Sequence, residues 1–301
     1  WVIVLLVPLV LLTADAPAAQ GAADDTQLRQ ALGEYFAAPA ARQAEWQFAA
    51  DLQQRLRTDE ATVRRLAWEA YRQAPIHAEL QADYQSNRVR FDKHVSPYTV
   101  KDVGTRPTNG WALVIAMHGG GGAPKALNDS QWRHMQIYYK DHPEAGGYRY
   151  LALRAPNDTW NGFYDVYVYP LIANLIRQFV VLGDVNPDKV FIMGYSHGGY
   201  GAYAIGPKMP DRFAAIHASA AAATDGETTP KTLRTTPFTV MVGEQDTAFG
   251  RYDRNRKFAA AVEALRGDRK DIYPVTVQIV PNNGHTGLPD RDKIKIGRAH
   301  V

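Results

Sequence analysis

The sequence of 301 residues contains no cysteine, and that one absence excludes disulfides, thiolate metal sites and a cysteine nucleophile together. It has no large excess of charge of either sign, since 34 Lys and Arg stand against 31 Asp and Glu. The basic residues are scattered and form no stripe that would follow a phosphate backbone, so nucleic acid is not an expected partner. It also lacks an apolar run long enough to span a bilayer comfortably. The run that comes nearest, WVIVLLVPLVLL over residues 1–12, is followed by small residues that include the A-x-A of Ala16, Pro17 and Ala18. That arrangement reads as a partial signal peptide over residues 1–18, without its basic start or initiator Met. It predicts export to the periplasm or beyond, with no stable membrane insertion after cleavage.

What remains is the composition of a folded, water-soluble chain, with 46% hydrophobic and 22% charged residues, and its length suits one large domain plus an extension. The extension is expected over residues 24–85. Within it Leu28, Leu32, Tyr35 and Phe36, then Trp46, Ala49, Leu52 and Leu56, then Val63, Leu66, Ala70 and Tyr71 recur at helical spacing, which predicts three amphipathic helices. Pro39 separates the first two, and Thr58, Asp59 and Glu60 suit the capped, acidic start of the third. The segment carries no chemistry, and its apolar stripes are expected to pack on the main domain.

From Val89 the period changes. Short apolar runs at residues 112–117, 150–153, 190–193, 214–218, 238–242 and 275–280 read as buried strands, while residues 169–181 and 255–265 show one-sided helical spacing. Strand and helix in alternation imply an α/β domain over residues 86–295, a mostly parallel sheet with helices on both faces, and residues 89–103 supply antiparallel strands at its start. The last six residues, IGRAHV, match the peptide encoded by a widely used sequencing adapter. Natural sequence is therefore expected to stop near Lys295, with residues 296–301 a non-native tail.

Gly194-Tyr195-Ser196-His197-Gly198 is G-x-S-x-G, directly after the strand VFIM and before a helical stretch. In that place the pattern marks a sharp turn that lifts a nucleophilic Ser196 hydroxyl clear of a sheet. His118 and the four glycines after it follow the strand ALVIAM, and such a loop can turn backbone N–H groups onto one developing oxyanion. Gly120 and Gly121 are the expected donors from it, opposed by the N–H of His197, while His118 itself is expected to bond loop backbone. No Lys-Ser/Thr pair ends the run, so a phosphate loop is not indicated.

A serine of ordinary acidity needs a base beside it and a carboxylate behind the base. Past Ser196 the histidines are His197, His217, His285 and His300. His197 belongs to the turn, His217 to a strand and His300 to the doubtful tail, which leaves His285 in the loop NNGHTG as the base. Asp246, in the loop GEQDTAFG after the strand FTVMV, is the expected acid, with Asp253 and Asp225 as alternatives. Trp160 and Asn157, in APNDTWNGFYD after another strand, are placed at the substrate. No metal or organic cofactor is called for.

With these motifs in order, residues 89–295 resemble the α/β-hydrolase superfamily. MHGGGGAPKALNDSQW, NPDKVFIMGYSHGGYGAY, PDRFAA and GEQD are similar to segments of prolyl-oligopeptidase-type catalytic domains and of polyhydroxybutyrate-depolymerase or feruloyl-type esterases. The resemblance implies acyl transfer through a Ser196 ester, with Asp246, His285 and the donors Gly120, Gly121 and His197 in support. The expected substrate is a small or polymeric ester. A serine peptidase, an acyltransferase and a non-catalytic binding module on the same fold remain open alternatives.

Overall fold

The computed structural model describes residues 16–224 and 228–294, and the chain divides into two compact units, one ending at Glu79 and one beginning at Leu80. The signal segment expected over residues 1–18 lies outside the described residues except for its last three. The tail expected over residues 296–301 lies outside them altogether. Among the described residues no helix is long and apolar enough to cross a membrane.

The first unit holds helices α1 (Ala16–Ala37), α2 (Ala40–Ala44), α3 (Ala50–Thr58) and α4 (Glu60–Arg72). Leu28, Leu32, Leu52, Leu66 and Ala70 form its core, and the side chain of Asp59 caps α4 by accepting from the Thr62 N–H. One expectation needs correcting: Trp46 and Ala49 precede α3 and are not helical. The Gln43 side chain explains the interruption. It donates to the carbonyls of Tyr35 and Ala38 at 3.0 Å each, which satisfies the end of α1 and turns the chain, so that Trp46 and Phe48 pack their rings on Tyr35.

Helix α5 (Ala78–Gln85) leads into the strands β1 (Arg88–Phe91), β2 (His94–Val103) and β3 (Trp111–Met117). Then follow α6 (Lys125–Tyr138), β4 (Tyr148–Leu153), α7 (Val168–Val181), β5 (Val185–Tyr195), α8 (His197–Lys208), β6 (Ala215–Ser219), β7 (Phe238–Gly243), α9 (Arg251–Arg266) and β8 (Val275–Val280). The eight strands form one sheet in the order β1-β2-β4-β3-β5-β6-β7-β8. β2 is antiparallel to both its neighbours, and every later pairing is parallel. Parallel strands are covered on both faces, which is why the runs read as continuously apolar. Leu113, Ile115, Val190 and Ile192 meet Leu171, Ile172, Leu175 and Phe179 of α7 on one side. Val114, Ala116, Tyr150 and Ala152 meet Met135 of α6 and Tyr139 just after it on the other. Each of the four α7 side chains is at most 1% exposed, and each contributes about 2 kcal/mol of apolar burial.

The strand order reverses beside β3. From β3 the chain crosses to β4 on one side and then returns to β5 on the other, so the loops leaving the carboxyl ends of β3 and β5 lie next to each other without an intervening strand. Such a reversal is where open α/β sheets bind ligands. Here it brings the glycine run and Ser196 together.

Candidate active site

Ser196 sits between β5 and α8 with φ 52° and ψ −115°, a left-handed conformation that costs a residue with a Cβ about 1–3 kcal/mol. Two backbone bonds hold it there: the Ser196 N–H donates to the Ser219 carbonyl and the Gly198 N–H to the His118 carbonyl, each at 2.9 Å. Both flanking glycines are obligatory on steric grounds. A Cβ on Gly194 would lie 2.1 Å from the Gly198 carbonyl oxygen, and one on Gly198 would lie 2.1 Å from that of Met117. The spacing G-x-S-x-G is thus the trace of a turn closed tightly at Gly194 and pressed at Gly198 against the end of β3.

The loops after β7 and β8 bring the other two expected residues to this serine. His285 Nε2 is 3.1 Å from Ser196 Oγ, and His285 Nδ1 is 2.8 Å from Asp246 Oδ2. A carboxylate on Nδ1 holds the proton there and leaves Nε2 as an acceptor for the serine proton. The Tyr195 hydroxyl donates to the His285 carbonyl, tying the base's loop to the strand that carries the nucleophile. Asp246 is buried, and its other oxygen accepts from Arg251 Nη1 at 2.7 Å, with both side chains out of solvent. The alternative acid Asp253 is exposed on α9, and Asp225 lies outside the described residues, as does His300.

The glycine loop departs from expectation at one position. Gly120, Gly121 and Gly122 all have positive φ, at 106°, 75° and 57°, but the Gly121 N–H donates to Asn128 Oδ1 at 2.8 Å. Gly121 therefore shapes the loop and is removed from the expected donor set, which leaves the N–H groups of Gly120 and His197, the latter at the start of α8. Asn128 also donates to the Ala123 carbonyl at 2.9 Å and to Asp158 Oδ1 at 3.0 Å. It is the brace of the loop, and Arg154 anchors Asp158 in turn. His118 bonds backbone on both sides, with Nδ1 at 2.5 Å from the Gly119 carbonyl and Nε2 accepting from the Ala155 N–H at 3.1 Å.

Three histidines around this site are held neutral. Burial pushes His118 down to about 3 and His197 down to about 4. His217, buried in β6 between Thr239 Oγ1 at 2.8 Å and Ser219 Oγ at 2.7 Å, is pushed down to about 3 by the same cause. Folded-state values below the unfolded value of about 6.5 mean that the unfolded chain takes up protons first. The stability they contribute is complete above about pH 6.5 and is lost progressively as pH falls toward about 3. Between pH 6.5 and 5 the loss is roughly 2 kcal/mol for each histidine. Asp290, raised by burial, works in the opposite direction, but one carboxyl faces three imidazoles. The melting temperature should fall by about 10 °C or more from pH 7 to pH 5, and a flat profile would contradict this.

Of the two residues expected at the substrate, the structure brings only one to the site. Trp160 packs 6.1 Å, centroid to centroid, from the His197 ring. Asn157 is taken up inside its own loop, its Oδ1 accepting from the Thr159 N–H at 3.1 Å and hydroxyl at 2.6 Å and its Nδ2 donating to the Tyr167 hydroxyl. That is a loop-building role in place of the expected contact with substrate. Arg251, Asn128, Tyr195 and Phe249 were not foreseen. Arg251 alone left a signal, since a cation in the first turn of a helix opposes the dipole and so points to an anion that holds it there.

Among the described residues no group of three or more His, Cys, Asp or Glu side chains could hold a metal ion. The mostly parallel sheet, the strained serine turn after β5 and the loops after β7 and β8 together define the α/β-hydrolase fold. No protein-family model matches the chain, and no curated protein matches it. Among solved structures it is similar to a candidate dipeptidyl aminopeptidase IV from Bacteroides ovatus, with 11% identity, a TM-score of 0.51, and 71% of this chain and 35% of that one covered. A thermostable esterase is 18% identical at a TM-score of 0.49, with 71% of this chain and 61% of that one covered. A poly(3-hydroxybutyrate) depolymerase from Bordetella parapertussis is 18% identical at 0.48, with 64% and 79% covered. At these identities the likeness is one of fold, and the chain spans less than two thirds of the length of the first two.

Proposed function

We propose that the chain is a serine hydrolase that cleaves a carboxylic ester through an acyl-enzyme on Ser196. The observation that carries this reading is the relay from Asp246 through His285 to the Ser196 hydroxyl, with steps of 2.8 and 3.1 Å. His285 Nε2 takes the Oγ proton as Oγ attacks the ester carbonyl carbon, and the N–H groups of Gly120 and His197 are the donors for the resulting oxyanion. The alkoxide leaves with the proton from Nε2. Water then gives a proton to Nε2 as its oxygen attacks the acyl carbon, and that proton passes from Nε2 to Ser196 Oγ as the acid leaves. An ester is favoured over a peptide because Arg251, the charged side chain bonded to Asp246, is committed to that ion pair inside the protein and is not left to hold a peptide terminus.

The test is covalent labelling. A fluorophosphonate loses fluoride to an activated serine, and the tetrahedral adduct is stabilised by the same donors as the oxyanion. The chain has five serines, Ser86, Ser96, Ser130, Ser196 and Ser219, so peptide mapping assigns the site. Labelling of one equivalent at Ser196 is expected, together with faster turnover of an ester than of the amide with the same acyl group. Protein that melts cooperatively and takes up no probe would instead favour the binding module.

A further inference from the structure

Two large aromatic side chains stand in solvent beside the triad. Trp160 is 42% exposed and Phe249 is 66% exposed, and although they come from the loops after β4 and β7, their ring centroids lie 5.4 Å apart at an interplanar angle of 30°. Each is braced from within. Tyr200, one turn into α8 from Ser196, lies 5.5 Å behind Trp160, and the Arg251 guanidinium, fixed by Asp246, lies 5.0 Å from the Phe249 ring. Phe249 is held in the left-handed region at φ 54° and ψ 21°, where a residue with a Cβ is disfavoured. A strained backbone that holds an apolar ring in water is a double cost to the free protein. The cost of exposure is offset when an apolar group covers the rings.

Resting on the hydrolase reading above, we propose that Trp160 and Phe249 together form a subsite for an uncharged hydrocarbon part of the ester, a chain of about four or more carbons or a flat ring. The position follows from the two loops. Trp160 adjoins His197, the residue after the nucleophile, and Phe249 lies three residues past the acid, so the paired rings border the scissile ester. The chemistry follows from what surrounds them. Arg251, beside the Phe249 ring, is occupied by Asp246, Arg254 donates to the Phe249 and Ala223 carbonyls, and the Asn157 side chain is taken up by its own loop, so the polar groups next to the two aromatic faces are already bonded within the protein. Specificity then comes from apolar contact.

The experiment compares two ester series on the full chain. One lengthens the acyl group from p-nitrophenyl acetate to hexanoate, and the other lengthens the alcohol from ethyl to hexyl acetate. Each methylene laid on the rings raises kcat/KM about threefold, so one series should gain about eighty-fold over four methylenes, mainly through KM. The series that responds identifies which side of the ester lies on the rings. Trp160→Ala and Phe249→Ala should each remove most of that gain and reduce the short ester by a smaller factor, about threefold. Phe249→Gly relieves the left-handed backbone, so its loss of the gain cannot be attributed to failed folding. If the wild-type protein labels at Ser196 yet shows flat series in both arms, or if the variants keep the gain, the subsite is wrong and the hydrolase stands. If the folded wild-type protein neither labels nor turns over any ester, both readings fall.

Discussion

Ser196→Ala should lower kcat by about 10⁴-fold or more while the thermal melt stays close to that of the wild type. The residual rate is what the oxyanion donors and substrate binding supply without a nucleophile. The fold should be indifferent because the bonds that hold the turn are made by backbone, from the Ser196 N–H to Ser219 and from the Gly198 N–H to His118, and alanine adopts the left-handed conformation no more readily than serine. A second serine bonded to a histidine is present and makes the comparison stringent. Ser219 Oγ lies 2.7 Å from His217 Nε2, but both residues are buried, and a histidine held down at about 3 is a poor proton acceptor. If activity survives Ser196→Ala within tenfold, the chemistry does not run through this serine. Ser196→Gly offers an internal check, since it should be equally inactive and melt slightly higher as the strain at φ 52° is released.

The parts of the fold and site that could be read from sequence are those whose cause is local. Gly194 is required by a contact within its own turn, and the apolar runs of β3 to β7 are the direct consequence of burial on both sheet faces, whereas β8, at the sheet edge, is mostly half-buried or exposed. The order serine, acid, histidine was legible because only one late histidine, His285, lies in a loop after a strand. Other features depend on pairings between side chains that no period records. Gly121 is lost as a donor because Asn128, on the following helix, reaches back to its N–H. Asn157 looked like a substrate contact, yet its amide closes its own loop through Thr159 and Tyr167. Phe249 was invisible for a different reason: its importance lies in an exposed ring on a strained backbone, and neither exposure nor φ is written in a residue's type. Trp46 and Ala49 show the complementary error, where helical spacing continued across a turn that Gln43 imposes.

Asp246→Asn should cost about 10⁴-fold in kcat, nearly as much as loss of the serine, because the amide acts on the tautomer of the base. Asp246 Oδ2 accepts from His285 Nδ1 at 2.8 Å, while Oδ1 accepts from Arg251 Nη1 at 2.7 Å. An asparagine has only one oxygen, and the buried guanidinium, which can only donate, requires it. The amide nitrogen is then turned toward His285 as a donor, Nδ1 must become the acceptor, and the proton moves to Nε2, where it faces Ser196 and cannot accept. The same substitution leaves the Arg251 charge without a counter-ion in a buried place, so stability should fall by about 3–5 kcal/mol. These two effects separate in a double variant. Arg251→Met in the Asp246→Asn background removes the stranded charge and should restore much of the melting temperature, whereas activity should stay low because no carboxylate orients His285. Asp253→Asn, on the exposed face of α9, should change neither. Asp246→Asn with activity within tenfold of wild type would mean that the buried carboxylate serves the Arg251 ion pair alone. Recovery of activity in the double variant would mean that the stranded charge, and not the tautomer, had disabled the enzyme.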